Sequence, residues 1–280
     1  MQVRARSALR VGLDSRGWPS PAVLRAEAPL LLRVTDQTAE QLTIHLVGGA
    51  AGPLGGDHLD FDLAVGSGAR LTVRSVAASL AQPGRERESV STVRVHVAAG
   101  ASLDWWPQPL LSIAGSSHTI RTVVDVDRDV DAQMDVETDA GTDAGPHQPA
   151  TIRWVDEVVL GRSGEKSGNL VVDQRFTVAG VPLVCHRTTF DPLCAGVGRH
   201  GLGRSVITAL VFGPEALEAR SVASSTSASI SIARYPISAT ATSWIGLGRD
   251  IDELRAKMID EFALGHRERS PFVSTHISRR

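Results

Sequence analysis

Carboxylates beside aromatic or glycine-rich stretches are the chemically most suggestive feature of this sequence. In ASLDWWPQPLL, Asp104 directly precedes Trp105 and Trp106, and two prolines follow. A carbohydrate-active site needs two carboxylates, often beside aromatic rings, and this stretch would supply half of such a site. Tryptophan is also enriched in cores and at interface hot spots. The stretch therefore fits either a catalytic site for sugars or a structural or docking element.

Motifs for nucleotides, calcium and soft metals are incomplete. Gly196–Gly201 has the glycine spacing of a dinucleotide loop but precedes a strand pattern, and Gly161–Gly168 lacks the glycine that a phosphate loop places before its lysine. The acidic stripe Asp125–Asp139 lacks the glycine and glutamate of a calcium loop; it is either a solvated face or a cation-attracting or partner-docking stripe. Cys185 and Cys194 are either buried structural cysteines or part of a soft-metal site. Nothing here indicates an enzyme.

Composition sets broad limits on function. The chain has 280 residues, 42% hydrophobic and 21% charged, with a net charge of −2. This balance gives no electrostatic case for nucleic-acid binding. Two cysteines do not make a disulfide framework, and neither a signal peptide nor a membrane-spanning run is visible. We expect a cytoplasmic protein that does not bind a membrane.

Alternating apolar and polar residues dominate the elements that must position these groups. His58–Val65 is a clear example, with apolar residues at every second position. Many such short runs between glycine or proline turns predict a mainly all-β fold: a sandwich, a barrel or stacked β-structure. Two α-helices are predicted, at Asp250–Leu264 with Asp250 as N-cap and at Pro214–Ser221.

The domain organisation follows from the same pattern. We predict one domain over residues 1–265 and a basic, disordered tail over 266–280. Within the domain, Val65–Val73 and Val97–Trp105 share the pattern V-x-x-G-A-x-L at an offset of 32 residues. This faint repeat suggests that successive hairpins stack on each other.

Three segments in order resemble one family, the urease accessory protein UreD, called UreH in some organisms. Gly48–Val73 resembles its double glycine, its G-G-D-x-L motif and its G-A hairpin. Ala101–Gly115 resembles its segment of an acidic residue, an aromatic residue and P-Q-P. Asp156–Leu170 resembles its L-G-R segment followed by a Gly-Glu pair. Their order and spacing agree with the family pattern.

The resemblance implies a scaffold for urease maturation with no catalytic residues. It implies binding to the urease apoprotein and to UreF, and through UreF to the GTPase UreG, in a dimer of UreD-UreF-UreG heterotrimers. Nickel would be cargo in transit through an internal tunnel, with no tightly bound cofactor. The implied fold is an elongated, layered, β-helix-like structure with two helices.

The site residues follow from this resemblance. We predict that Asp57 and Glu157 line the nickel passage, each with a turn-capping or surface role as its alternative. Three weaker candidates are His58, Asp60 and Asp104. Carboxylate and occasional imidazole ligands release nickel readily, whereas thiolate clusters would retain it. Trp105 and Trp106 should point to opposite faces of a strand, and both are candidates for a partner interface. The alternative functions are a carbohydrate-active enzyme and a metal-independent interaction module.

Overall fold

The computed structural model describes residues 2–85, 88–127, 149–192, 203–214, 216 and 222–262, with backbone alone at 261 and 262. The described residues form two large β-sheets and one helix. This confirms the predicted all-β class.

Sheet A has seven strands, whose order is not that of the chain. In spatial order they are β14 (Val181–Phe190), β13 (Asn169–Val178), β11 (Ser117–Val126), β8 (Ser89–Val97), β5 (His58–Val65), β1 (Arg4–Leu13) and β2 (Pro19–Arg25).

Sheet B has eleven strands, nine of them in one continuous order. These nine are β16 (Ala223–Thr226), β17 (Ile230–Ser238), β18 (Ala241–Gly248), β15 (Ser205–Phe212), β12 (Thr151–Leu160), β9 (Ser102–Trp105), β6 (Arg70–Ser75), β4 (Leu42–Gly48) and β3 (Leu30–Gln37). The short strands β7 (Ser79–Ala81) and β10 (Leu110–Ser112) pair with each other, and β10 also pairs with β12.

The chain coils between the two sheets. β5, β8, β11 and β13 pair in parallel in sheet A, while β4, β6, β9 and β12 pair in parallel in sheet B. The strands of the two sets alternate along the chain. Parallel strands that alternate between facing sheets make a β-helix, whose interior is the space between the sheets.

The 32-residue repeat corresponds to one turn of this β-helix. Val65 pairs with Val97 in sheet A, and Leu71 pairs with Leu103 in sheet B. Gly68 and its repeat partner Gly100 both have a φ of 73°, which favours glycine. The repeated glycine therefore lets two successive turns stack in the same conformation.

The core consists of three apolar clusters. Cluster 1 fills one half of the β-helix interior and contains Trp105 and Trp154. Cluster 3 fills part of the other half and contains Val158 and Leu170. Cluster 2 lies on the opposite face of sheet B, beneath the helix.

The helix α1 (Ile251–Phe262) covers cluster 2. It begins as predicted, because the Asp250 carboxylate accepts hydrogen bonds from the backbone N–H groups of Asp252 and Glu253, both at 2.9 Å. Leu254 and Met258 are buried against β18. A Cβ at Gly246 would lie 2.7 Å from the Met258 sulfur, so glycine there permits this close approach.

Several predictions concern residues outside the described part of the chain. These are most of the predicted helix Pro214–Ser221, the tail 266–280 and the greater part of the acidic stripe. No described helix has the length and apolar character needed to cross a membrane.

Candidate functional site

The inner face of β12 carries a carboxylate in the middle of the core. Trp154 belongs to cluster 1 and Val158 to cluster 3, and Asp156 lies between them on the same face. The Asp156 Oδ2 atom accepts hydrogen bonds from the Trp154 indole N–H at 2.7 Å and from the Gln174 amide at 2.6 Å. Both donors are neutral, so they do not neutralise the charge.

The neighbouring strands of sheet A repeat this order. On β13, Gln174 lies between Phe176 of cluster 1 and Val172 of cluster 3. On β11 the corresponding position is Thr122, which is buried and is the Cα partner of Gln174. Asp156, Gln174 and Thr122 therefore form a polar layer that separates the two apolar clusters.

Electrostatics make Asp156 unusual. Burial raises the pKa of its carboxyl above the usual range, and the nearby charge of Glu157 adds to this. The hydrogen bonds from Trp154 and Gln174 lower the pKa but only partly offset the burial. A cation bound beside Asp156 would therefore stabilise the charged form of its carboxylate.

A tryptophan stack closes the layer on the side of cluster 1. The rings of Trp105 and Trp154 are parallel, with centroids 4.5 Å apart and an interplanar angle of 3°. The buried Trp105 indole N–H lies close to Asp156 and lowers the pKa of that carboxyl, although it does not reach hydrogen-bond geometry with any described residue. It is therefore a third neutral donor beside the carboxylate.

Sheet B is interrupted beside the same residues. β9 pairs with β12 as far as Trp105 and Trp154, and pairing resumes only where Leu110 of β10 meets Val158. The segment Trp106–Pro109 spans the gap and includes two prolines, which cannot donate backbone hydrogen bonds. Asp156 and Glu157 lie opposite this gap in the ladder.

Glu157 lies on the other face of β12, beneath α1. Its side chain is 0% exposed and forms a bidentate ion pair with Arg255 of α1, at 2.7 and 2.5 Å. The Trp106 indole N–H donates to the same carboxylate at 2.7 Å. Trp105 and Trp106 therefore face opposite sides of sheet B, one in the core and one against Glu157. Whether a partner contacts either ring stays a prediction.

Asp57 caps a turn and joins the start of the chain to it. One carboxylate oxygen accepts from the Val3 N–H at 3.0 Å and the other from the Leu54 N–H at 2.9 Å. The side chain is buried. This is the turn-capping role that the sequence offered as the alternative for Asp57.

The weaker candidates lie on the outer surfaces of the sheets. Asp104 is held by Arg153 and Arg74; burial alone would raise its pKa, but these two guanidinium groups lower it. Asp60 forms an ion pair with Arg94 at 2.7 Å, and His58 is exposed. The structure does not bring these three side chains together with Asp156.

Within the described residues, neither the cysteines nor the acidic and histidine side chains form a metal cluster. Cys185 is exposed, while Cys194 lies outside the described residues. Among the residues that the structure describes, no three His, Cys, Asp or Glu side chains converge as a metal site would require. In the described interior of the β-helix, the group that could bind a cation is the Asp156 carboxylate, whose hydrogen-bond donors Trp154 and Gln174 are neutral.

Comparison with known proteins gives the family. A family model described as UreD urease accessory protein matches residues 5–134. A relative from Streptomyces avermitilis, named urease accessory protein UreD, is 32% identical over 227 residues, covering 78% of this chain and 82% of the relative. The chain belongs to the UreD family.

Two further relatives bear the same name. The one from Parafrankia sp. is 37% identical over 181 residues, covering 64% of this chain and 54% of the relative. The one from Frankia alni is 36% identical over 197 residues, covering 64% and 59%. The chain thus spans little more than half the length of these two UreD relatives.

Sequence reasoning missed Asp156 and Gln174. The segment with the L-G-R motif begins at Asp156, but the family resemblance pointed to its neighbour Glu157. Counting by two from Trp154 would have placed Asp156 on the core face. Gln174 carries no signal in the sequence, because its role depends on the facing sheet.

Proposed function

We propose that this chain acts in urease maturation and helps to load nickel into the urease apoprotein. Its membership of the UreD family and the shared name of its relatives, urease accessory protein, support this role. An accessory protein assists an enzyme without carrying out its reaction, so the proposed role is non-catalytic.

The observation that carries the nickel step is the uncompensated carboxylate of Asp156 inside the β-helix. A buried carboxylate without a cationic partner is costly, and a divalent cation would relieve that cost. One carboxylate with neutral neighbours binds nickel far more weakly than a cluster of thiolates or imidazoles. Weak binding of this kind suits an ion that must be released to the urease apoprotein.

The interruption in sheet B suggests how the ion could cross the sheet. Asp156 lies on the inner face at the gap, and Glu157 lies on the outer face of the same strand. We propose that nickel moves between these two carboxylates, with Arg255 displaced from Glu157 as the ion arrives. Four other side chains are still proposed to contact nickel in transit, away from Asp156: Asp57, His58, Asp60 and Asp104. To bind nickel, Asp57 would first have to give up its hydrogen bonds from two backbone N–H groups.

The proposed partners come from the family resemblance. They are the urease apoprotein, UreF and, through UreF, the GTPase UreG that carries nickel. We propose that the chain works within a dimer of UreD-UreF-UreG heterotrimers. Trp106 and the surface around α1 are the proposed contact region.

Deletion of this reading frame tests the proposal. Urease activity and the nickel content of purified urease, each normalised to urease protein, should both fall and return with the intact gene. Unchanged nickel loading would contradict the proposal and favour a metal-independent interaction module. Hydrolysis of polysaccharides by the purified chain would favour the carbohydrate-active alternative instead.

A further inference from the structure

We infer that the polar layer opens to solvent at the edge strand β14, and that this mouth, with His186 at its rim, admits a divalent cation to Asp156. The inference rests on the proposed nickel passage and adds the side from which the ion reaches the interior. It also assigns a residue, His186, that the sequence did not place in the passage.

The residue order on β14 continues the polar layer to the edge of sheet A. Val184 packs on cluster 1 and Phe190 packs on cluster 3. His186 and Thr188 lie between them on the same face, just as Gln174 lies between the two clusters on β13. β14 is the last strand of sheet A, so the layer ends there at solvent.

Three side chains connect this edge to the interior. His186 is exposed and is the Cα partner of Gln174. The Gln174 amide donates to the Asp156 carboxylate at 2.6 Å. Paired strands lie about 4.8 Å apart, so these residues form a short polar path from the rim to the centre.

The geometry of His186 suits a first ligand. Its Nε2 atom lies 2.8 Å from the Thr188 hydroxyl, which orients the ring. Its Nδ1 atom makes no hydrogen bond to any described residue, so it can meet an incoming ion. Imidazole is a good nickel ligand, and a partner on the second nitrogen is the usual arrangement for a metal-binding histidine.

The interior end of the path has room for a small species. Asp156 keeps some solvent-accessible surface although the surrounding atoms desolvate it strongly. The Trp105 indole N–H close by is a further neutral donor beside the carboxyl. Part of the Asp156 residue is therefore within reach of a species of about the size of water.

Nickel titration of the purified full-length chain, followed by tryptophan emission, tests the inference. Ni²⁺ at Asp156 would quench Trp154, whose indole bonds the same carboxylate. Three variants are compared with the wild type: Asp156→Asn, His186→Gln and, as a matched control, His96→Gln on the outer face of sheet A. Near-UV circular dichroism confirms that each variant is folded.

We expect saturable quenching by the wild type and by His96→Gln, and its loss in Asp156→Asn. His186→Gln should slow the quenching severalfold when nickel is added by stopped-flow mixing and should leave the Kd unchanged, because a residue of the mouth alters the rate at which the ion enters. Equal quenching rates of His186→Gln and His96→Gln, with quenching lost in Asp156→Asn, would overturn the mouth and leave the passage intact. No saturable quenching of the wild type would overturn the inference, while the deletion experiment would still decide the proposed function.

Discussion

Asp156 and Glu157 are adjacent in β12, yet one carboxylate lies inside the β-helix and the other lies beneath α1. Asp156 receives hydrogen bonds from two neutral donors. Glu157 is fully buried and paired with Arg255. The charge is therefore uncompensated on one face of the sheet and neutralised on the other, so an ion would have to displace Arg255 to reach Glu157 but would displace no cation to reach Asp156.

The Arg255–Glu157 pair should hold α1 on sheet B. Arg255→Leu leaves the Glu157 carboxylate buried without its cation, and we expect the free energy of unfolding to fall by about 3 kcal/mol. Urea denaturation measures this. The matched control is Asp252→Ala, because Asp252 pairs with the same arginine but has an 80% exposed side chain. That variant should change stability by less than about 1 kcal/mol, and equal losses in the two variants would contradict the account.

Asp156→Asn should leave the protein at least as stable as the wild type at neutral pH. The folded-state pKa of Asp156 is raised, so the folded protein keeps its proton more firmly than the unfolded chain does. Its contribution is therefore most favourable at low pH and is lost as pH rises through the folded-state pKa. The variant lacks this loss, so its stability relative to wild type should increase from pH 4 to pH 7. Urea denaturation of both proteins across this pH range measures the difference. A lower free energy of unfolding for Asp156→Asn than for the wild type at pH 7 would contradict this expectation.

His118 should make the fold sensitive to acid. Burial lowers the pKa of His118 from 6.5 to about 4, and its Nδ1 lies 2.8 Å from the Ser89 hydroxyl. The unfolded chain takes up a proton below pH 6.5 that the folded protein refuses, so stability falls as pH falls from 6.5 to about 4.

The size of this effect is measurable. Between pH 7 and pH 5 it amounts to about 2 kcal/mol, from these two pKa values. His118→Gln should remove that share of the pH dependence in urea denaturation. His96→Gln, at an exposed histidine, should retain it. Identical pH profiles for His118→Gln and the wild type would show that His118 does not carry the effect.

Much of the fold follows from local patterns in the sequence. Alternation over His58–Val65 predicted β5 with its bounds. The 32-residue repeat corresponds to a turn of the β-helix because stacked turns need the same glycine at the same place. β2 and β3 could not be predicted in this way, because they are largely exposed and show little apolar alternation. The serine-rich residues 222–231 contain β16 and the start of β17. β16 pairs with β17 and β17 pairs with β18, and this pairing supplies the order that their composition does not indicate.

The site was harder to predict than the fold. The glycine-rich and L-G-R motifs favoured Asp57 and Glu157 as nickel ligands. Their hydrogen-bond partners Val3 and Arg255 lie far away along the chain, so the motifs did not indicate that these carboxylates are already bonded. The polar layer depends on which residues of sheet A face Asp156. Such contacts between sheets leave no periodic signal in one sequence.

The nickel content of urease, measured in a deletion strain complemented with Asp156→Asn at limiting nickel, shows whether Asp156 carries the ion. We expect normal amounts of urease and of the variant protein, with little nickel in the urease and low activity, and recovery as external nickel is raised. Urease fully loaded with nickel in the Asp156→Asn strain at limiting nickel would contradict the claim that Asp156 carries the ion.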